Sequence, residues 1–204
     1  MSNQRAAAWA LIASSAAFVL IMAVHPTHAG APGMLGVTLN GAVHAAALLM
    51  VPLWAYGGLA LHEYAGRDRP LPTLALTFWL FAAGAILLAT TISGFVTPRA
   101  VDFTHQSEAG APALHLAVWL NRGFAQANAA MTALAILLWS IAWPGGRATL
   151  ALRLWGGAVA LGLLGWQASG TLALDVHQTL IVTLAIASWI VPAALTVLQQ
   201  RRDG

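Results

Sequence analysis

The chain contains no cysteine and few charged residues. Without cysteine it cannot form disulfides, iron–sulfur clusters or thiolate metal sites, so any metal ion must be held by His, carboxylate, Met or a cofactor ring. Only 7% of the 204 residues are charged, whereas an ordinary soluble domain carries about 25%. Lysine is absent and the longest basic run is Arg201–Arg202, so the basic patch of a nucleic-acid-binding protein is missing.

Several enzyme motifs are also missing from the sequence. It has no Gly-rich phosphate-binding loop, no G-x-S-x-G nucleophile elbow and no H-E-x-x-H helix. The chemistry that depends on these motifs is therefore excluded.

Apolar residues make up 59% of the chain and occur in long runs. A helix needs about 20 largely apolar residues to cross a bilayer. Six stretches meet this requirement, and Pro or Gly residues separate them: 6–25, 36–62, 72–97, 113–143, 149–169 and 173–198. The sequence therefore predicts an all-α fold, a polytopic integral membrane protein whose residues 1–204 form one bundle of six transmembrane helices in a lipid bilayer.

The Arg residues predict how this bundle is oriented. If the N-terminus is cytoplasmic, the cytoplasmic side carries Arg5, Arg67, Arg69, Arg147, Arg153, Arg201 and Arg202, and the other side only Arg99 and Arg122. Bacterial inner-membrane proteins keep their Arg-rich short segments inside. We therefore expect a multi-pass protein of the bacterial inner membrane with cytoplasmic N- and C-termini. The first stretch is expected to be retained, because its apolar core of about 19 residues is longer than that of a cleaved signal peptide.

Seven His residues are the most informative polar feature of so apolar a chain. At a helical rise of 1.5 Å per residue, six of them come out near or beyond the outer boundary of a hydrocarbon core about 30 Å thick. These six are His25, His28, His44, His105, His115 and His177. Only His62 is expected on the cytoplasmic side, so the sequence predicts a His-rich site on the periplasmic side.

Imidazoles from several helices at one level, beside acids, favour the binding of a metal ion such as Cu or Zn. The candidate metal ligands are His25, His44, His115, His177 and Asp175. Candidate residues that orient these ligands are Arg122, Asn40, Asp102, His105 and Glu108. If His44 and His177 face each other across the bundle, the same site is expected to hold a b-type haem.

Two other functions fit the same residues. The protein could be a non-catalytic accessory or structural subunit whose polar rim docks a membrane-protein partner or a second copy of the chain. It could also be a small intramembrane hydrolase in which His and acid residues hold Zn and the metal activates a water. A single His at a membrane interface is often only an amphipathic residue with a solvated tip. The sequence therefore leaves open whether the protein is an enzyme.

Polar residues recur on the second, fourth and sixth stretches. On the fourth, His115, Arg122 and Gln126 share one helical face at 100° per residue, and a face of this polarity is disfavoured against lipid. We expect these three helices to line a polar cavity that opens outward. Arg122 is expected to contact Asp175, directly or through one water, because Asp175 lies at a similar height on the sixth stretch.

Overall fold

The computed structural model of the protein describes residues 3–26 and 38–199. Within these ranges the chain forms seven α-helices and one π-helical turn, and it has no β-strand. The elements are α1 (Asn3–Ala23), α2 (Leu39–Gly66), α3 (Pro70–Thr91), the π-helical turn (Ile92–Val96), α4 (Thr97–Thr104), α5 (Gly110–Ala142), α6 (Arg147–Ala168) and α7 (Val176–Gln199). The all-α prediction is confirmed.

Six helical segments in the described ranges are long and apolar enough to cross a membrane. One of them, Pro70–Thr104, comprises α3, the π-helical turn and α4. The outward faces carry large apolar side chains, including Trp119 at 76% exposure and Phe81 at 68%. Lipid tails solvate such a surface, whereas a soluble protein rarely exposes so much of it. The protein is therefore a multi-pass membrane protein built as a six-helix bundle.

The six spanning segments pack as a ring in which neighbours run antiparallel. α2 packs between α1 and α3, α5 packs between α3 and α6, and α7 packs against α1 and α6. We call the end at which α2, α5 and α7 begin the histidine end, because His44 and His177 lie near the starts of α2 and α7. The opposite end, which contains Arg5 and Arg69, is the arginine end.

The core of the bundle is rich in tryptophan. The indole rings of Trp54 and Trp79 stack with centroids 3.6 Å apart, and the rings of Trp79 and Trp139 have centroids 5.4 Å apart. Nε1 of Trp79 donates a 3.0 Å hydrogen bond to the backbone oxygen of Trp54. Gly58 allows this packing, because a Cβ atom there would overlap the ring of Trp79. Buried indoles therefore tie α2, α3 and α5 together.

At the arginine end of the bundle, arginine side chains donate hydrogen bonds to the ends of helices. Nη1 of Arg69 donates 3.1 Å hydrogen bonds to the backbone oxygens of Ala65 and Ala142, near the ends of α2 and α5. Nε of Arg153 donates to the backbone oxygen of Ser140. The last carbonyls of a helix lack intrahelical partners and carry partial negative charge, so these guanidinium groups cap the helix ends.

The third spanning helix is longer than predicted. It was expected to end at residue 97, before Pro98, but it continues to Thr104. In a regular α-helix, Pro98 would clash with the carbonyl group four residues earlier. The π-helical turn widens the backbone at that point, and the amide of Thr97 donates to the carbonyl of Ile92, five residues back. The widened turn accommodates Pro98 within a continuous helix.

The other predicted helix bounds agree with the structure to within four residues wherever the structure describes them. Residues 36 and 37, where the second helix was expected to begin, lie outside the described residues. His28 lies outside them as well.

Candidate functional site

A cavity of about 390 Å³ extends from the histidine end into the bundle. Its lining includes His25, His44 and Asp175 at the histidine end, and Ser15 and Trp54 at the deep end. On α1 and on α2 these two levels are ten residues apart, which corresponds to a depth of about 15 Å. A polar cavity was predicted between the second, fourth and sixth spanning helices. The structure has such a cavity, and α1 and α3 also line it.

His25 and His44 contact each other at the histidine end of this cavity. Their rings meet edge to face, with centroids 5.0 Å apart and an interplanar angle of 78°. Nδ1 of His25 lies 2.9 Å from the backbone oxygen of Pro26, and Nδ1 of His44 lies 2.7 Å from that of Asn40. A carbonyl oxygen only accepts hydrogen bonds, so each Nδ1 carries the proton and donates. Each Nε2 therefore keeps a free lone pair.

The position of His44 depends on the start of α2 and on the π-helical turn. The Thr38 hydroxyl accepts a 3.1 Å hydrogen bond from the amide of Gly41 and caps α2. The Asn40 side chain donates to the backbone oxygen of Ser93 in the π-helical turn, at 3.4 Å. Gly94 packs against the Cβ atom of His44 so closely that a side chain there would overlap it. Such π-helical turns occur frequently at functional sites.

Of the other three proposed metal ligands, Asp175 lines the same cavity as His25 and His44, and the two remaining His residues do not. Across residues 3–26 and 38–199, no group of three or more His, Asp or Glu side chains could hold a metal ion. His115 and His177 are exposed and do not line the cavity. The expected haem-binding pair of His44 and His177 is therefore not assembled, because only His44 faces the cavity.

Asp175 and Arg122, both within the described residues, form no direct ion pair. Oδ1 of Asp175 accepts a 2.8 Å hydrogen bond from the amide of Gln178, so the carboxylate caps α7 instead. Arg122 is exposed, and the neighbouring residues Asn121 and Ala125 line the cavity. Successive residues on a helix differ by 100°, so an error of one position was enough to assign Arg122 to the wrong face.

The remaining candidates lie beyond the cavity. Asp102, His105 and Glu108 are exposed, at the end of α4 and in the short connection to α5. The amide of His105 donates to the carbonyl of Asp102, so these two residues belong to one helical turn. None of the three lines the cavity, so they do not surround the His25–His44 pair.

Two cavity residues were missed in the sequence. Met22, in the last turn of α1, lies three positions before His25 and lines the same cavity, and its thioether is a soft metal ligand. The Met22-x-x-His25 spacing at the end of the first apolar stretch was the available sequence signal. Thr90 lines the cavity about one helical turn below His44 and is only 6% exposed. The i, i+3 spacing of Thr90 and Ser93, which also lines the cavity, distinguishes it from its neighbour Thr91.

Comparisons with protein-family models, curated proteins and solved structures found no match to this chain. Its function must therefore be inferred from the cavity and from the two His residues at its histidine end.

Proposed function

We propose that the protein is a bacterial inner-membrane protein that binds a copper ion, Cu(I), between His25 and His44 on the periplasmic side. The observation that carries the proposal is that both rings donate Nδ1–H to a backbone carbonyl. Histidines that bind metals are usually held in this way, because the second hydrogen bond fixes the tautomer and orients the ring. The two free Nε2 atoms are the metal ligands.

The spacing of the two rings fits one shared ion. A bond of about 2.0–2.1 Å from Nε2 to the metal puts a ring centroid about 3.2 Å from the ion. For two rings bound to the same ion, the observed centroid separation of 5.0 Å then corresponds to an N–metal–N angle of about 100°. That angle is close to the tetrahedral value, so the separation of the two rings is compatible with their binding one ion.

The surrounding residues favour copper over zinc. Protein zinc sites use three or four His, Cys or carboxylate ligands, and no such group of three exists in the part of the chain that the structure describes. Cu(I) accepts imidazole together with soft thioether sulfur. Met22 lines the cavity beside the two His residues, so His25, His44 and Met22 make a ligand set suited to Cu(I).

The test is a Cu(I) titration of the purified protein against a chromophoric chelator. We expect one ion per chain, and an affinity at least about 10-fold lower in His25→Gln and in His44→Gln. His115→Gln and His177→Gln are matched controls, because both side chains are exposed at the histidine end and lie outside the cavity lining. Equal losses in the controls, or the absence of a stoichiometric Cu(I) site in the native protein, would refute the proposal.

X-ray absorption spectroscopy of the Cu(I)-loaded protein tests the third ligand. The native protein should show one sulfur neighbour, and Met22→Leu should lose it while keeping the two nitrogen neighbours. Met131→Leu is the control, because Met131 packs against the hydrophobic core and does not line the cavity. A spectrum with nitrogen or oxygen neighbours only would exclude Met22 as a ligand.

The proposed orientation has its own test. Reporter fusions after Gly110 and after Gly204 should report opposite sides of the membrane, with the fusion after Gly204 in the cytoplasm. This expectation follows from the Arg distribution and from the six spanning segments. If both fusions report the same side, the topology is wrong.

A further inference from the structure

The wall of the cavity formed by the third spanning helix carries a buried hydroxyl group that has no hydrogen-bond partner among the described residues. Thr91, which faces away from the cavity, donates its hydroxyl to the carbonyl of Leu87, four residues back. The hydroxyl of Thr90 makes no hydrogen bond within the described residues, although the residue is 6% exposed and lines the cavity. A buried polar group without a partner is costly, so this hydroxyl is suited to a molecule in the cavity.

Amide groups continue this polar wall along α5. Nδ2 of Asn128 donates a 3.0 Å hydrogen bond to the backbone oxygen of Ala82, which holds the side chain in place and leaves its Oδ1 free. The side chain of Asn121, two helical turns away, also lines the cavity and has no partner in the described ranges. The wall therefore offers neutral donors and acceptors spread over about 10 Å along α5.

The opposite wall is apolar apart from the Ser15 hydroxyl at its deep end. Phe18 and Ile21 on α1 line the cavity, and the ring of Phe18 meets that of Trp54 edge to face, with centroids 6.4 Å apart. Among the described lining residues, the only ionisable side chains are His25, His44 and Asp175, all at the histidine end. A charged ligand would find no counter-charge at the deep end, so the occupant of that part must be uncharged.

We propose that the part of the cavity below His25 and His44 binds a lipophilic molecule with an oxygen-bearing ring, of the quinone or phenol class. The ring lies against Phe18 and Trp54, and its oxygens hydrogen-bond to Thr90 and to the Asn side chains of α5. The whole cavity, including its histidine end, has a volume of about 390 Å³, which lies within the range of small-molecule sites. The site is separate from the metal proposed at His25 and His44, so either can fail without the other.

The test is calorimetric titration of the metal-free protein with ubiquinone-1, and with decanol as a chain that lacks a ring. We expect one saturable quinone site per chain and clearly weaker binding of decanol. Thr90→Val removes the hydroxyl and keeps the shape, and should weaken quinone binding about 3–10-fold. Thr91→Val is the matched control and should stay within twofold.

Ala125→Phe is a second variant that does not depend on the hydrogen bond. Ala125 is half-buried and lines the cavity, so a phenyl ring there should occupy the site and abolish quinone binding. Thermal unfolding shows whether this variant is folded. The proposal is overturned by unsaturable quinone binding, by equal losses in the two Thr variants, by decanol binding as tightly as the quinone, or by full binding in folded Ala125→Phe.

Discussion

The contact between Gly94 and His44 can be tested by adding one methyl group. In Gly94→Ala the new Cβ atom would overlap the Cβ and Cγ atoms of His44. Neither side can yield easily, because His44 is buried and its Nδ1 is hydrogen-bonded to Asn40. Gly84→Ala is the matched control on the same spanning segment, because nothing lies within 4 Å of a Cβ atom there.

The expected difference follows from two opposing terms. Replacing Gly by Ala inside a helix stabilises it by up to about 1 kcal/mol, and both variants share this gain. Overpacking at a tight contact costs about 1–3 kcal/mol, and only Gly94→Ala incurs it. At about 2–4 °C per kcal/mol for a chain of this size, Gly94→Ala should unfold about 2–12 °C below Gly84→Ala.

The assay is thermal unfolding of both variants in the same detergent, followed by circular dichroism at the helical band. The comparison of two variants cancels the effect of the detergent on the absolute Tm. If Gly94→Ala is as stable as Gly84→Ala, the π-helical turn does not pack closely against His44. The close contact between α2 and the third spanning segment would then be refuted.

Three further predictions can be checked by the same unfolding assay. Arg69→Met should lower the free energy of unfolding by about 1 kcal/mol, because the partly solvated side chain loses its hydrogen bonds to two helix ends. Arg67→Met loses no side-chain hydrogen bond and should be neutral. Equal effects of the two substitutions would contradict the helix-capping role of Arg69. The effects of Arg122→Met and Asp175→Leu on the free energy of unfolding should add to within about 0.5 kcal/mol, because the two residues form no direct ion pair. A larger coupling energy would show that the two side chains interact. Asn128→Leu should cost about 0.6 kcal/mol through its lost hydrogen bond to α3, and an unchanged Tm would argue against that bond.

The number and length of the helices were predictable from the sequence because the thickness of a bilayer sets them. The heights of residues along the bundle were predictable for a related reason, since height depends only on the rise per residue. His25 and His44 come from different helices and were expected at one level, and their rings are in contact. The helix end that was predicted wrongly lies at Pro98. Proline usually ends a helix, but here a π-helical turn, which amino-acid composition does not reveal, lets the helix continue.

The rotation of each helix about its axis was much less predictable. Arg122 was assigned to the face that its neighbour Asn121 occupies. Thr90 and Thr91 are identical residues, yet one faces the cavity and the other faces outward. Both outcomes depend on how neighbouring helices pack. A hydrophobic pattern carries little information on this in membrane proteins, because the lipid-facing side and the core are both apolar.

The stacked tryptophans of the core have an optical consequence. Because the indole rings of Trp54 and Trp79 lie 3.6 Å apart and Trp79 also contacts Trp139, their electronic transitions couple and excitation energy passes readily among them. The near-ultraviolet circular dichroism of the folded protein should therefore be strong and should vanish when the rings separate. Trp54 also lines the cavity, so the emission of this group of rings will respond to a molecule that enters the deep end. The protein thus carries an intrinsic fluorescent reporter beside its cavity.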